Sequence, residues 1–216
     1  MTTHASLLDA GTRTAFQVQP MPAPTQMLVP PGAYQPLIEK LAEMRRDRGV
    51  GVIAAFSSVS RGDGVTYVLE SLAWELAKQT GEQTLLATPD GLSSAATARF
   101  TDSAVRWPAL HPVHRLRSTG AANCRWADFA WQDFQGLRRR FGFSLVDCPA
   151  VCTSPAALSV CRSCDGVVLV VTAGGTKRNE IQRAQSMLQV ASANLLGLVL
   201  NKRVESVPGF ISRLLA

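Results

Sequence analysis

Hydrophobic and polar positions change their period several times along the chain. Up to Ala33 no apolar period emerges. Pro20, Pro22, Pro24, Pro30 and Pro31 interrupt a stretch rich in Thr and Gln, so residues 1–33 read as a disordered, Pro-rich leader. It is either a plain flexible leader or a partner-docking peptide. From Tyr34 the pattern is regular. Leu37, Ile38, Leu41, Ala42 and Met44 fall near helical spacing, and Gly49 follows the basic cluster Arg45 to Arg48 as a helix stop. Val50 to Phe56 is then a continuous apolar run of strand length, the signature of a strand buried on both faces of a parallel sheet.

The same alternation recurs downstream. Helices are expected over Thr66 to Gln79, Phe134 to Phe141, Lys177 to Ala191 and Val207 to Leu215. Strands are expected over Thr84 to Ala87, Phe143 to Val146, Gly166 to Val171 and Leu196 to Leu200. Strand alternating with helix predicts one doubly wound α/β domain over residues 34–216, with a mainly parallel sheet and helices on both faces. Gly91 to Arg125 has no clear period and reads as an insertion or loop region.

Composition narrows the class. Of 216 residues, 46% are hydrophobic and 18% charged, the latter against a usual share of about 25%, which excludes a disordered chain. Five cysteines are too few, and odd in number, for a disulfide-built miniprotein. The longest apolar runs are too short to span a bilayer and no secretory signal is visible, so the expected compartment is the cytoplasm. The net charge of +6 is compatible with nucleic acid, an anionic membrane surface or acidic partners.

The candidate chemistry lies in F-S-S-V-S-R-G-D-G-V-T-Y, Phe56 to Tyr67, where a buried strand ends, a glycine-bearing loop follows and a helix begins. Such a loop aims backbone N–H groups at a phosphate, and the helix N-terminus adds a favourable field. Gly62 and Gly64 permit close approach, and Thr66 offers a hydroxyl to Mg²⁺. A full phosphate loop reads G-x-x-x-x-G-K-[ST], and its lysine position holds Val65. Further on, F-S-L-V-D ends an apolar strand in Asp147, where a Walker B carboxylate holds Mg²⁺ or its water.

These segments resemble the bacterial tyrosine kinases of capsule and exopolysaccharide synthesis, within the ParA/MinD class of P-loop NTPases. The family's T-S-x-x-P-G-E-G-K-[ST]-T is similar to S-S-V-S-R-G-D-G-V-T-Y at Ser57 to Tyr67. Its L-L-I-D-x-D is similar to L-L-A-T-P-D at Leu85 to Asp90, and its I-I-D-T-P-P-V to L-V-D-C-P-A-V at Leu145 to Val151. A-D-G-V-L-L-V-V is similar to C-D-G-V-V-L-V-V at Cys164 to Val171, and L-G-V-V-L-N to L-G-L-V-L-N at Leu196 to Asn201.

The resemblance implies a P-loop NTPase fold and ATP or ADP with Mg²⁺ as ligand. Ser60, Arg61, Gly62, Asp63, Gly64, Val65, Thr66 and Tyr67 would surround the phosphates, Thr66 and Asp147 would hold the metal, and Asn201 would contact adenine. For Asn201 a plain turn residue is the alternative. The departures matter: Val65 replaces the lysine, Thr88 replaces the first aspartate of the second motif so that Asp90 is the remaining catalytic candidate, and no C-terminal tyrosine cluster is present. No E-x-x-R-x-x-R assembly motif is recognisable in Leu37 to Arg48, and the span from Asp90 to Asp147 is short for the family. Arg61 is either a substitute for the lost lysine or a solvated loop charge.

The expectation is a degenerate kinase-like accessory protein of polysaccharide synthesis or export, binding nucleotide with little or no turnover or no longer binding it. The resemblance implies a membrane-embedded chain-length or export protein as partner, a homo-oligomer, and a place at the inner membrane's cytoplasmic face. One alternative is an active ATPase or tyrosine kinase. Another is a ParA/MinD-like positioning protein, whose DNA or anionic-membrane contact would use Arg45, Arg46, Arg48, Arg138 to Arg140, Lys177, Arg178 and Arg183, or an amphipathic Pro208 to Ala216. Cys148, Cys152, Cys161 and Cys164 suit either a metal or redox site or a core, and His111 with His114 make a poor ligand pair.

Overall fold

The computed structural model describes residues 5–7, 16–21, 32–87, 112–118 and 133–202. Two short strands, β1 (Ala5–Leu7) and β2 (Phe16–Pro20), precede helix α1 (Gln35–Arg48). Then follow β3 (Val52–Ser58), α2 (Val65–Thr80), β4 (Thr84–Ala87), β5 (Val113–Ser118) and α3 (Asp133–Arg140). The chain continues through β6 (Phe143–Asp147), α4 (Pro155–Ser163), β7 (Gly166–Thr172), α5 (Arg178–Val190) and β8 (Leu195–Asn201). These strands form one sheet in the order β1-β2-β5-β4-β6-β3-β7-β8. The six from β5 to β8 are mutually parallel, and β2 and β1 extend one edge antiparallel.

Alternation along each strand sends side chains into two cores, one on each sheet face. Val52, Ala54 and Phe56 of β3 face α1 and α2, joining Ile38, Leu41, Leu69, Leu72 and Leu76. Ile53 and Ala55 face the opposite layer, joining Phe134 and Leu137 of α3, Val160 of α4 and Leu188 of α5. All seven residues of β3 are buried, as the unbroken apolar run predicted.

At its N-terminal end the sheet is fastened by one buried carboxylate. Asp165, just before β7, accepts from Arg138 Nη1 at 2.5 Å and Nη2 at 2.8 Å, and from the Ile53 amide at 2.8 Å. Arg48, at the end of α1, adds a third arm at 2.7 Å.

Several elements depart from the sequence-based expectations. Ala5–Leu7 and Phe16–Pro20 lie in the stretch read as a disordered leader, yet they pair as strands on the sheet edge. Phe16 to Pro20 is short and its Pro sits at the strand end, where a missing N–H is tolerated. Strand β5 falls inside the region read as irregular, because V-H-R-L-R-S is too polar to stand out as a buried strand. Helix α4 is a further addition, only nine residues long, starting at Ser154-Pro155 and burying Ala157, Val160 and Cys161 on one face. The expected Val207 to Leu215 helix lies outside the described residues.

Candidate phosphate-binding site

The site forms where the sheet changes its winding direction. From β3 the chain leaves over the α1/α2 face towards β4, and from β6 it leaves over the opposite face through α4 towards β7. Beyond the carboxyl ends of adjacent β3 and β6, this leaves the crevice in which open α/β sheets bind ligands. The register sets Phe56 beside Asp147, so the carboxylate emerges next to the start of the β3–α2 loop. Three bonds tie the two strand ends together: Cys148 N–H to Phe56 O at 2.8 Å, Val151 N–H to Ser58 O at 3.0 Å, and Ser57 Oγ to Pro149 O at 2.5 Å.

The loop is shaped from within and clamped from one side. Gly62 and Gly64 have φ of +88° and +89°, and a Cβ at Gly64 would stand 2.2 Å from Asn201 Nδ2. Asp63 is buried and turns inward. Its carboxylate accepts from the Ser60 amide at 3.0 Å and from Thr172 Oγ1 at 2.8 Å. Asn201 Nδ2 donates to the Asp63 carbonyl at 2.8 Å, and Lys202 Nζ donates to the Gly62 carbonyl at 2.6 Å. Ser60, Arg61 and Gly62 are exposed at the loop tip, and Arg61 makes no side-chain bond to any described residue.

Helix α2 starts at Val65, and no acidic residue occupies its first turn. Its leading amides therefore remain available to an anion. Val65 is only 9% exposed and packs into the core beside Phe56, Val68 and Leu69. The position that carries a cation in the full motif is thus apolar and turned inward. Thr66 Oγ1 donates to Asp147 Oδ2 at 2.6 Å, and Tyr67 is exposed beyond it. Burial raises the Asp147 carboxyl above its ordinary value, and the Thr66 hydrogen bond and the Arg115 charge oppose the rise. Arg115 is itself paired with Glu70 on α2. A hydroxyl and a partly desolvated carboxylate, both hard oxygen donors, fit Mg²⁺.

The structure thus brings together Ser60 to Tyr67, Asp147 and Asn201. Asn201 is turned to the loop backbone, where it holds Asp63 in place. Thr88 and Asp90, expected after β4, and His111 lie outside the described residues. Three participants escaped the sequence reading: Asp63 as an internal brace, Thr172 and Lys202. No local signal marks Lys202, whose link to Gly62 spans 140 positions.

The other candidate clusters do structural work. Cys148, Cys161 and Cys164 are buried free thiols, and Cys152 is half-buried. The hydrogen bond with Cys161, together with burial, raises the Cys148 thiol well above its ordinary value, and burial does the same for Cys164. Among the described residues no group of three or more His, Cys, Asp or Glu side chains could hold a metal. His114 is fully buried in β5 against the Phe141 ring. The basic clusters are partly consumed: Arg45 pairs with Glu82, while Arg48 and Arg138 pair with Asp165. Among the described residues no helix is long and apolar enough to cross a membrane.

No protein-family model matches the chain. It is 32% identical over 177 residues to the tyrosine-protein kinase CpsD of Streptococcus pneumoniae serotype 4, an alignment covering 69% of this chain and 75% of that one. Among solved structures it is similar to the VpsO kinase domain, with a TM-score of 0.63 at 21% identity, over 80% of this chain and 93% of that one. It is also similar to the septum site-determining protein MinD of Pyrococcus horikoshii complexed with Mg-ADP, with a TM-score of 0.52 at 18% identity over 76% of both chains. At these identities the two structures bear on the fold, which is the doubly wound α/β sheet of the P-loop NTPases.

Proposed function

Because the chain belongs to the family of the CpsD tyrosine-protein kinases, we propose that it is a nucleotide-binding accessory member of that family with little or no turnover, acting in capsule or exopolysaccharide synthesis and export. The observation that carries this reading is the split within the site. The glycine loop, the open N-terminus of α2 and the 2.6 Å Thr66–Asp147 pair are kept, while Val65 buries an apolar side chain where the phosphate-facing lysine belongs.

Binding and catalysis draw on these parts differently. A diphosphate can be held by backbone amides and a helix terminus. Thr66 and Asp147 would hold Mg²⁺, which supplies charge neutralisation on the phosphate oxygens. Phosphoryl transfer, by contrast, depends on preorganised positive charge around the moving group. Removing one such preorganised donor costs on the order of 10² to 10³ in rate.

On this reading the protein works through its partners. These are a membrane-embedded polysaccharide chain-length or export protein, met at the cytoplasmic face of the inner membrane, and a second copy of this chain. The engagement of Arg45, Arg48 and Arg138 in ion pairs weakens the alternative of a DNA-binding surface.

The test is to incubate the purified full chain with Mg-ATP and follow phosphate release and phosphotyrosine together. The reading predicts both at background with nucleotide bound. Phosphotyrosine accumulating over minutes would restore the active-kinase alternative.

A further inference from the structure

The loop lacks the cation expected within its own helix, yet a cation reaches it from another strand. Lys202 follows β8 and is a non-glycine residue at positive φ, +56°. That left-handed residue ends the strand abruptly. The Lys202 ammonium lies over the loop tip and donates to the Gly62 carbonyl at 2.6 Å. The Cβ position of Gly64 lies 3.9 Å from its Cε. The preceding Asn201 fixes the same loop through Asp63 O at 2.8 Å, so strand end and loop form one unit.

An ammonium carries three donors, and Gly62 O takes one. The Asp63 carboxylate does not neutralise it from the outside, because it is buried and occupied by the Ser60 amide and the Thr172 hydroxyl. Arg61 is the basic side chain on the loop itself; both it and Lys202 are exposed, but Arg61 makes no bond to a described residue, so its charge is not preorganised.

We infer that Lys202 is the phosphate-binding cation of this site, taking the role vacated at Val65, and that the ligand class is a nucleoside di- or triphosphate whose terminal phosphates lie against the loop tip. The inference deepens the nucleotide-binding reading above and rests on it. It also distinguishes binding from catalysis. A lysine delivered from β8 can hold a phosphate at the loop, but it does not restore the buried helix position from which the family's lysine acts.

The experiment is calorimetric titration of the full chain with Mg-ADP at 50 and 300 mM NaCl, for the native protein, Lys202→Met, Lys202→Arg and Arg61→Ala. Folding of each variant is checked by its thermal transition. Lys202→Met is expected to weaken Mg-ADP about tenfold to a hundredfold, the usual range for a lost charged hydrogen bond. It should also flatten the salt dependence, since a charge has been removed from the contact. Lys202→Arg should recover most of the affinity, and Arg61→Ala should cost less affinity than Lys202→Met.

A Lys202→Met protein that binds Mg-ADP as tightly as the native one overturns the inference and leaves nucleotide binding standing. The inference also fails if affinity falls but the salt dependence does not, because Lys202 then only shapes the loop. A large loss in Arg61→Ala alone transfers the role to Arg61. Absence of Mg-ADP binding by the folded native protein removes the nucleotide reading and this inference together.

Discussion

Removing the Asp165 carboxylate tests how the sheet that presents the loop is held. Its side chain is 2% exposed and that of Arg138 is 5% exposed, so the pair is shielded from water on both sides. Asp165→Ala deletes both Arg138 contacts, the 2.7 Å contact to Arg48 and the acceptor for the Ile53 amide. Breaking a buried pair by removing one partner costs about 3–5 kcal/mol, because the other charge stays desolvated. The orphaned Ile53 amide contributes to the upper end of that range. Arg48 contributes little, since its side chain is 44% exposed and recovers solvent. For a chain of this size, about 4 kcal/mol corresponds to a fall of roughly 8–16 °C in Tm.

Denaturant and thermal unfolding of Asp165→Ala measure this directly. The double variant Asp165→Leu/Arg138→Met separates charge from packing. It should recover part of the loss, since an apolar pair carries no stranded charge while the Ile53 amide and the Gly51 carbonyl still lose their partners. An Asp165→Ala protein within about 1 kcal/mol of the native one would refute the reasoning. So would a double variant as unstable as the single one.

Other outcomes follow from the site. Gly64→Ala places a Cβ at φ +89° against Asn201 Nδ2, so it should cost about 2–3 kcal/mol in denaturant titration, from left-handed strain and the displaced Asn201 bond. The folded Asp147 carboxyl titrates above its ordinary value of 3.8; its contribution to stability is therefore greatest below the unfolded value and declines as pH rises through the folded one. Asp147→Asn should accordingly raise the melting temperature more at pH 7 than at pH 4, with Thr66 still able to donate to the amide oxygen. Cys148, Cys161 and Cys164, buried with Cys148 and Cys164 raised, should react with a thiol reagent at pH 8 only after denaturant is added; rapid labelling of any of these three in the native protein, located by peptide mapping, would contradict their placement in the core.

The strands carrying the site were legible because burial on both faces demands unbroken apolar runs, as in Val52 to Phe56 and Gly166 to Val171. The strand–loop–helix order and the strand-final Asp147 located the loop and its acidic partner without coordinates. Lys202 was not legible, because its link to Gly62 spans 140 positions and depends on a left-handed residue after β8. Arg138 sat in a run of three arginines counted among the candidates for DNA or anionic-membrane contact, and only the fold reveals Asp165 beside it. β5 and the β1–β2 edge were hidden for a related reason. Strands at or near a sheet edge need not be apolar on both faces, so V-H-R-L-R-S carries too weak a period to compete with a loop.

The central claim is that the site keeps its phosphate-binding parts after losing its lysine. Titrating the native full chain calorimetrically with ADP, with and without Mg²⁺, tests it most directly. The account predicts saturable binding at micromolar to submillimolar concentration that strengthens with Mg²⁺ and is lost in the folded Thr66→Ala and Asp147→Ala proteins. No heat up to millimolar ADP from a folded native protein would contradict it, and would leave the chain as a partner-binding scaffold on a P-loop fold.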